Sequence, residues 1–216
     1  MGFLDKSSGG LTLLQFRGIP VNLHYTFIIL SIVISIYCVA TFGASSAYTI
    51  IATLIILFAS TLLHEMGHAI MAARLGFTTK NITLYPFGGI ALVSLNRDDY
   101  DADILVSASG PAVNFMLSII SIPFIVMGSE YGKIVFLING ITCIFNLIPA
   151  LPLDGGRILR AILRKSIDGD RVDRAMSMVS FLISALLVLS GIIFNVTGLI
   201  VVGLIMILAL KNTDTN

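Results

Sequence analysis

Charge is scarce in this chain. Asp, Glu, Lys and Arg make up only 12% of its 216 residues, about half their share in ordinary soluble domains. Hydrophobic residues make up 56%, and the mean hydropathy is +0.99. A compact domain of this length cannot hide so much apolar surface from water, so a soluble globular class is excluded. The net charge is only +1, which leaves no electrostatic footprint for a nucleic-acid partner. The two cysteines, Cys38 and Cys143, lie inside apolar runs. They exclude a disulfide scaffold and read as small apolar residues. There is no collagen-like period, internal repeat or low-complexity tract, and the hydropathy excludes disorder. No cleavable leader is indicated. The first apolar run starts near Leu23, behind a Gly- and Ser-containing head without a clear A-x-A site. What remains is a polytopic membrane protein.

Six apolar stretches stand out, over about 23–42, 48–73, 104–127, 134–149, 178–194 and 196–210. A span takes about 20 residues, with a range of about 17–25. The first three are comfortable. The fourth is short and ends in a proline cluster. The last two meet at Asn195, and their joint length favours two spans with a very short turn over one bent segment. The expected fold class is therefore an all-α polytopic membrane protein with about six transmembrane helices. The basic residues test this division. The head, the 74–103 loop, the 150–177 loop and the tail hold 12 of the 13 Lys and Arg, and the other side holds only Lys133. Basic loops stay cytoplasmic, so both termini are expected there.

Two cytoplasmic segments carry structure of their own. Gly76 to Arg97 has β-branched and aromatic residues in partial alternation, and Gly88–Gly89 is a turn signal. It reads as a small β-hairpin or sheet between spans two and three. Arg157 to Ser177 reads as an amphipathic helix with a turn around Asp168–Gly169, its arginines facing lipid headgroups. Residues 1–216 are expected to form a single membrane-embedded domain. Its core covers about 48–160, flanked by spans at about 23–42 and 178–210, with no extra soluble domain.

Histidine and glutamate are rarer still: the chain has three of the first and, of the second, only Glu65 and Glu130. Two histidines and one glutamate fall together in His64-Glu65-Met66-Gly67-His68, inside the second apolar stretch. On a helix, residues i and i+4 share a face, about 6 Å apart. Two imidazoles so placed can grip one metal ion, with Glu65 on its flank to take a proton from the attacking water. An ionisable residue at mid-span costs about 2.5–3.5 kcal/mol by insertion scales, so three together need a role. With Arg74 at the interface, the histidines lie about 9–15 Å below the cytoplasmic surface at 1.5 Å per residue.

Two histidines leave a zinc site one protein ligand short. The best candidate is Asp154, in Asn146-Leu-Ile-Pro-Ala-Leu-Pro-Leu-Asp154-Gly-Gly-Arg157. Pro149 and Pro152 break a regular helix, and irregular backbone at membrane depth is tolerated only against protein or a water-filled cavity. The competing reading of Asp154 is a helix cap or a partner for Arg157.

Together these motifs make the chain resemble the site-2 protease family of intramembrane zinc metalloproteases. His64–His68 is similar to that family's first motif, and Asn146–Arg157 to its second. Gly18-Ile-Pro-Val-Asn-Leu-His-Tyr-Thr26 is similar to the entry of its first span, and Gly110-Pro-Ala-Val-Asn114 to its third-span motif. The resemblance implies one zinc ion per chain, held by His64, His68 and Asp154. It implies Glu65 as general base and Asn146 as a stabiliser of the oxyanion. Asn146 as an interhelical hydrogen-bonding group is the alternative, and Gly110, Pro111 and Asn114 more often mean close helix packing. His24 has no assignable ligand role.

The expected activity is hydrolysis of a peptide bond within or beside a transmembrane segment of another membrane protein, a single-span substrate in the bilayer. The substrate must unwind locally. The 82–93 region is expected either to offer it a strand edge or only to cover the mouth of the site. Lateral movement of the first or last two spans would admit it. The alternative function is a membrane metal transporter or metal-binding protein, which would need a polar path through the external halves of these spans. Almost no ionisable residue lies there.

Overall fold

The computed structural model describes residues 4–5, 10–85, 88–94 and 99–213. In chain order the elements are strands β1 (Leu4–Asp5), β2 (Gly10–Phe16) and β3 (Ile19–His24), helices α1 (Tyr25–Phe42) and α2 (Ala47–Arg74), and strands β4 (Thr79–Tyr85) and β5 (Gly88–Val93). Helices α3 (Tyr100–Val126), α4 (Glu130–Asn146), α5 (Asp154–Arg164), α6 (Gly169–Ile193) and α7 (Thr197–Thr213) follow. Each of the six apolar stretches has its helix. Four of them, α1, α2, α3 and α6, are long and apolar enough to cross a membrane; α4 and α7 have 17 residues each. The expected basic markers Lys6 and Arg97, and residues 86–87 between β4 and β5, lie outside the described residues.

The chain divides into two compact units. The first comprises Met1–Leu95 and Ala112–Cys143. Its sheet is larger than the hairpin expected from the sequence. Five strands lie in the order β1-β2-β3-β4-β5. Strands β2 and β3 form an antiparallel hairpin, closed by Arg17 (φ 50°) and Gly18 (φ 83°). A two-residue turn with positive φ at both positions matches strand twist. Strand β3 then pairs in parallel with β4, Val21 opposite Ile82. Parallel neighbours need a crossover, and here α1 and α2 supply it. The head before the first span thus builds three of the sheet's five strands.

One face of the sheet is apolar and packs on α2. Val21, Ile82 and Leu84 cluster with Ala69, and Phe58, Leu62 and Met66 pack against them. Helical residues advance about 100° each, so positions 58, 62, 66 and 69 form one stripe. Ser60, His64 and His68, all buried, form another stripe, offset from the first. Glu65 falls between the two, on the side nearer the sheet.

The second unit comprises Asn96–Pro111 and Ile144–Asn216. Helices α6 and α7 form the tight hairpin expected at Asn195, whose φ is 56°. A Cβ at Gly191 would lie 2.6 Å from the Ile200 side chain, and one at Gly203 2.7 Å from the Ser184 carbonyl. Small residues thus let the two backbones approach closely. The Arg157–Ser177 segment resolves into α5, a turn over 165–168 and the first turns of α6. Four of its six cations are in ion pairs: Arg157 with Asp103 at 3.3 Å, Lys165 with Asp101 at 2.5 Å, and Arg160 and Arg164 with Asp173. These pairs are partly exposed, so each contributes little to stability. The pairs of Asp101 and Asp103 tie the start of α3 to α5 and the turn after it, and those of Asp173 tie α5 to α6, within this unit.

Candidate metal centre

In the first unit, α2 carries His64, Glu65 and His68, all buried. The Nε2 atoms of His64 and His68 face each other at 3.1 Å, with the rings nearly perpendicular. Two tetrahedral zinc ligands with bonds of about 2.0–2.1 Å stand about 3.3 Å apart. The imidazole pair is therefore already spaced for chelation, and the donor set fits a zinc ion.

The far side of His64 is held. Its Nδ1 is hydrogen-bonded to Asn114 Oδ1 on α3. Asn114 Nδ2 donates to Asn139 Oδ1 on α4 at 2.8 Å. Asn139 Nδ2 donates to Ser60 Oγ at 3.0 Å and to the Val135 carbonyl at 2.9 Å. Asn114 and Asn139 are completely buried. The sequence signalled only part of this. Asn114 stands out in Gly110-Pro-Ala-Val-Asn114, a pattern that more often means packing, and Asn139 and Ser60 belong to no motif. A mid-helix asparagine in an apolar run was the available signal, since such a group must find a partner.

Glu65 lies against β5. A Cβ on Gly89 would come within 2.2 Å of Glu65 Cγ and 2.6 Å of its Oε1. This corrects the expected role of Gly88–Gly89 as the hairpin turn. Both residues are already paired in the strand, Gly88 with Tyr85 and Gly89 with Leu84. Gly89 is needed because strand backbone passes directly over the carboxylate.

In the second unit, the segment after α4 folds back on the start of α5. Cβ atoms on Gly155 and Gly156 would lie 2.3 Å from the Leu147 carbonyl oxygen and 2.4 Å from the Ala150 carbonyl carbon. Only glycine permits this approach. The Leu151–Pro152 bond is cis, and Leu151 N donates to Ser180 Oγ at 2.8 Å. The segment holds Asn146, half-buried at the end of α4, and Asp154, buried at the start of α5. The capping reading of Asp154 does not describe this helix, whose N-cap is Leu153 with no side-chain bond. Arg157 pairs with Asp103 at 3.3 Å. A carboxylate in the first turn is favoured by the positive end of the helix dipole.

His24, the third histidine, caps α1: its Nδ1 accepts from Thr26 N at 3.3 Å and meets Thr26 Oγ1 at 2.7 Å.

The chain is similar to known proteins in both sequence and fold. The family model for peptidase family M50 matches residues 52–134 and 129–191. A zinc metalloprotease of Methanocaldococcus jannaschii is 34% identical over 165 residues, covering 72% of this chain and 46% of that protein. A relative in Synechocystis sp. is 38% identical over 117 residues, or 51% of this chain and 31% of its own length. The chain thus spans less than half the length of these relatives. The solved structure of a site-2 protease from M. jannaschii superposes with a TM-score of 0.70 at 28% identity, covering 94% of each chain. The chain is a multi-pass membrane protein of mostly helical fold, and it belongs to peptidase family M50, the site-2 protease family.

Proposed function

We propose that this protein is an intramembrane zinc metallopeptidase that cleaves a peptide bond within or beside a transmembrane segment of another membrane protein. The observation that carries the reading is the buried imidazole pair on a membrane-length helix, its Nε2 atoms 3.1 Å apart with Glu65 beside it. The family and the printed name of the zinc metalloprotease relative support it.

In this reading His64, His68 and Asp154 hold one zinc ion; all three are buried donors of suitable type. When bound, zinc lowers the pKa of its water to about 7 and polarises the scissile carbonyl. Glu65 accepts the proton of the attacking water and returns it to the leaving amine. The Asn146 amide directs an N–H at the developing oxyanion. Asp154 contributes an anion that its place at the start of α5 favours.

The six apolar helices α1, α2, α3, α4, α6 and α7 then cross the membrane, in one membrane-embedded domain, with both termini and the site's access on the cytoplasmic side. The ion pairs from Asp101 and Asp103 to Lys165 and Arg157 support this division, because they tie the two loops assigned to one face. Strand β5 takes up the substrate. Among the described residues it pairs only with β4, so its outer edge has N–H and C=O groups for an extended peptide, next to Glu65.

The test is Glu65→Gln in the purified protein. It should keep stoichiometric zinc and lose cleavage of a model transmembrane substrate about 100-fold or more. Full cleavage in this variant would remove Glu65 as the base.

A further inference from the structure

We propose that Asn114 is a positioning residue for His64, and that Asn139 sets its orientation through a one-way relay anchored on the Val135 carbonyl. The inference rests on the zinc reading above only for what the relay serves.

The relay is argued from hydrogen-bond polarity. An asparagine side chain has one accepting and one donating end, and which end faces a neighbour must be deduced from the partners. The Val135 carbonyl only accepts, so Asn139 must present its NH2 group there, at 2.9 Å. Its Oδ1 then faces Asn114 at 2.8 Å. Only the Asn114 NH2 can meet that oxygen, which turns Asn114 Oδ1 to His64 Nδ1. Nδ1 must therefore carry the proton. A neutral imidazole has one N–H, so Nε2 keeps its lone pair, on the side that faces His68. Reversing any amide would set two acceptors or two donors against each other in a buried place, where an unmet polar group is costly. A backbone carbonyl on α4 thus fixes, through two side chains, which nitrogen of His64 is available to a metal. Outer partners of this kind orient a ligand and raise its basicity.

The same links fix the ring's position. Ser60, His64, Asn114 and Asn139 belong to three helices, and the two asparagines are 0% exposed. A mere packing role for Asn114 would need its volume and one hydrogen bond. It would not need a defined direction.

The test uses zinc-free protein in detergent with 15N-labelled histidine. The chain has three histidines, so the long-range 1H–15N imidazole spectrum can be assigned by single substitutions. In the wild type, His64 is expected to show its proton on Nδ1. Asn114→Leu should mix the tautomers and lower zinc affinity, read by chelator competition, by about 10–100-fold. Asn114→Asp keeps an acceptor towards Nδ1 but sets a carboxylate oxygen against Asn139 Oδ1, so it should hold the Nδ1–H tautomer while lowering the thermal midpoint. Ser118→Ala is the control. Ser118 Oγ donates to the Phe136 carbonyl at 3.1 Å, also between α3 and α4, and its loss should change neither readout. A wild-type His64 protonated on Nε2 would overturn the relay, and so would an Asn114→Leu variant with unchanged tautomer and affinity. So would an equal loss in Ser118→Ala. The wild-type spectrum decides even if Asn114→Leu does not fold. A wild type that takes up no zinc overturns the metal reading and leaves the tautomer to judge the relay alone.

Discussion

Gly89 has no side chain, and Glu65 stands where one would go. A methyl group there would lie 2.2 Å from Glu65 Cγ. The obstacle is a side chain rather than backbone, so the cheapest adjustment is for Glu65 to swing away. Gly89→Ala should therefore damage chemistry more than stability. A displacement of about 1 Å at a reacting group can cost about 100-fold. We expect cleavage by Gly89→Ala to fall by about tenfold or more, with zinc content unchanged and the thermal midpoint within a few degrees of wild type. Normal cleavage with a lowered midpoint would mean that Gly89 serves only packing. The pentapeptide itself was plain in the sequence, because histidine and glutamate are otherwise almost absent. The residues that support it were not. Gly89 looked like a turn residue because glycine pairs mark turns more often than close approaches, and only the strand's path over α2 distinguishes the two.

At the scale of elements, β5 is the part that meets both the site and the outside. Successive N–H groups of a strand point to opposite edges. Of Ala91→Pro and Leu92→Pro, one removes an N–H directed at β4 and the other an N–H directed at the outer edge. The first should lower the thermal midpoint. The second should leave it nearly unchanged and slow cleavage, because proline takes a donor from the docking edge. If both variants cleave at the wild-type rate while folded, β5 is a cover and not a docking strand. Most helices were legible within a few residues, since 23–42 became Tyr25–Phe42 and 48–73 became Ala47–Arg74, but the run 178–194 belongs to a helix that starts at Gly169. Long apolar runs leave little choice when the solvent is lipid. The β2–β3 hairpin was not read. Its signal is there, a two-residue Arg17–Gly18 turn between β-rich runs, but the segment stands out only as the entry to the first span.

For the whole molecule, sidedness is the open consequence. The proposed orientation puts Lys133 outside and Lys165 inside. Both lysines are well exposed, each in an ion pair. In a background with Cys38 and Cys143 replaced, a membrane-impermeant maleimide should label Lys133→Cys in intact cells. Lys165→Cys should react only after permeabilisation. The reverse pattern would invert the topology and move the site's access to the other face.

The sequence by itself determined the solvent, the order of the helices, and the imidazole pair with Glu65 beside it, because each follows from local chemistry. Scarcity of charge requires lipid, runs of about 20 apolar residues require helices, and a spacing of four puts two histidines on one face. Only the tertiary structure decided which groups stand behind those residues. Strand β3 reaches β4 across two intervening helices, Asn139 reaches Ser60 from 79 residues away, and Gly89 meets Glu65 through the path of a sheet. Such contacts depend on where distant segments come together, and no local pattern records that.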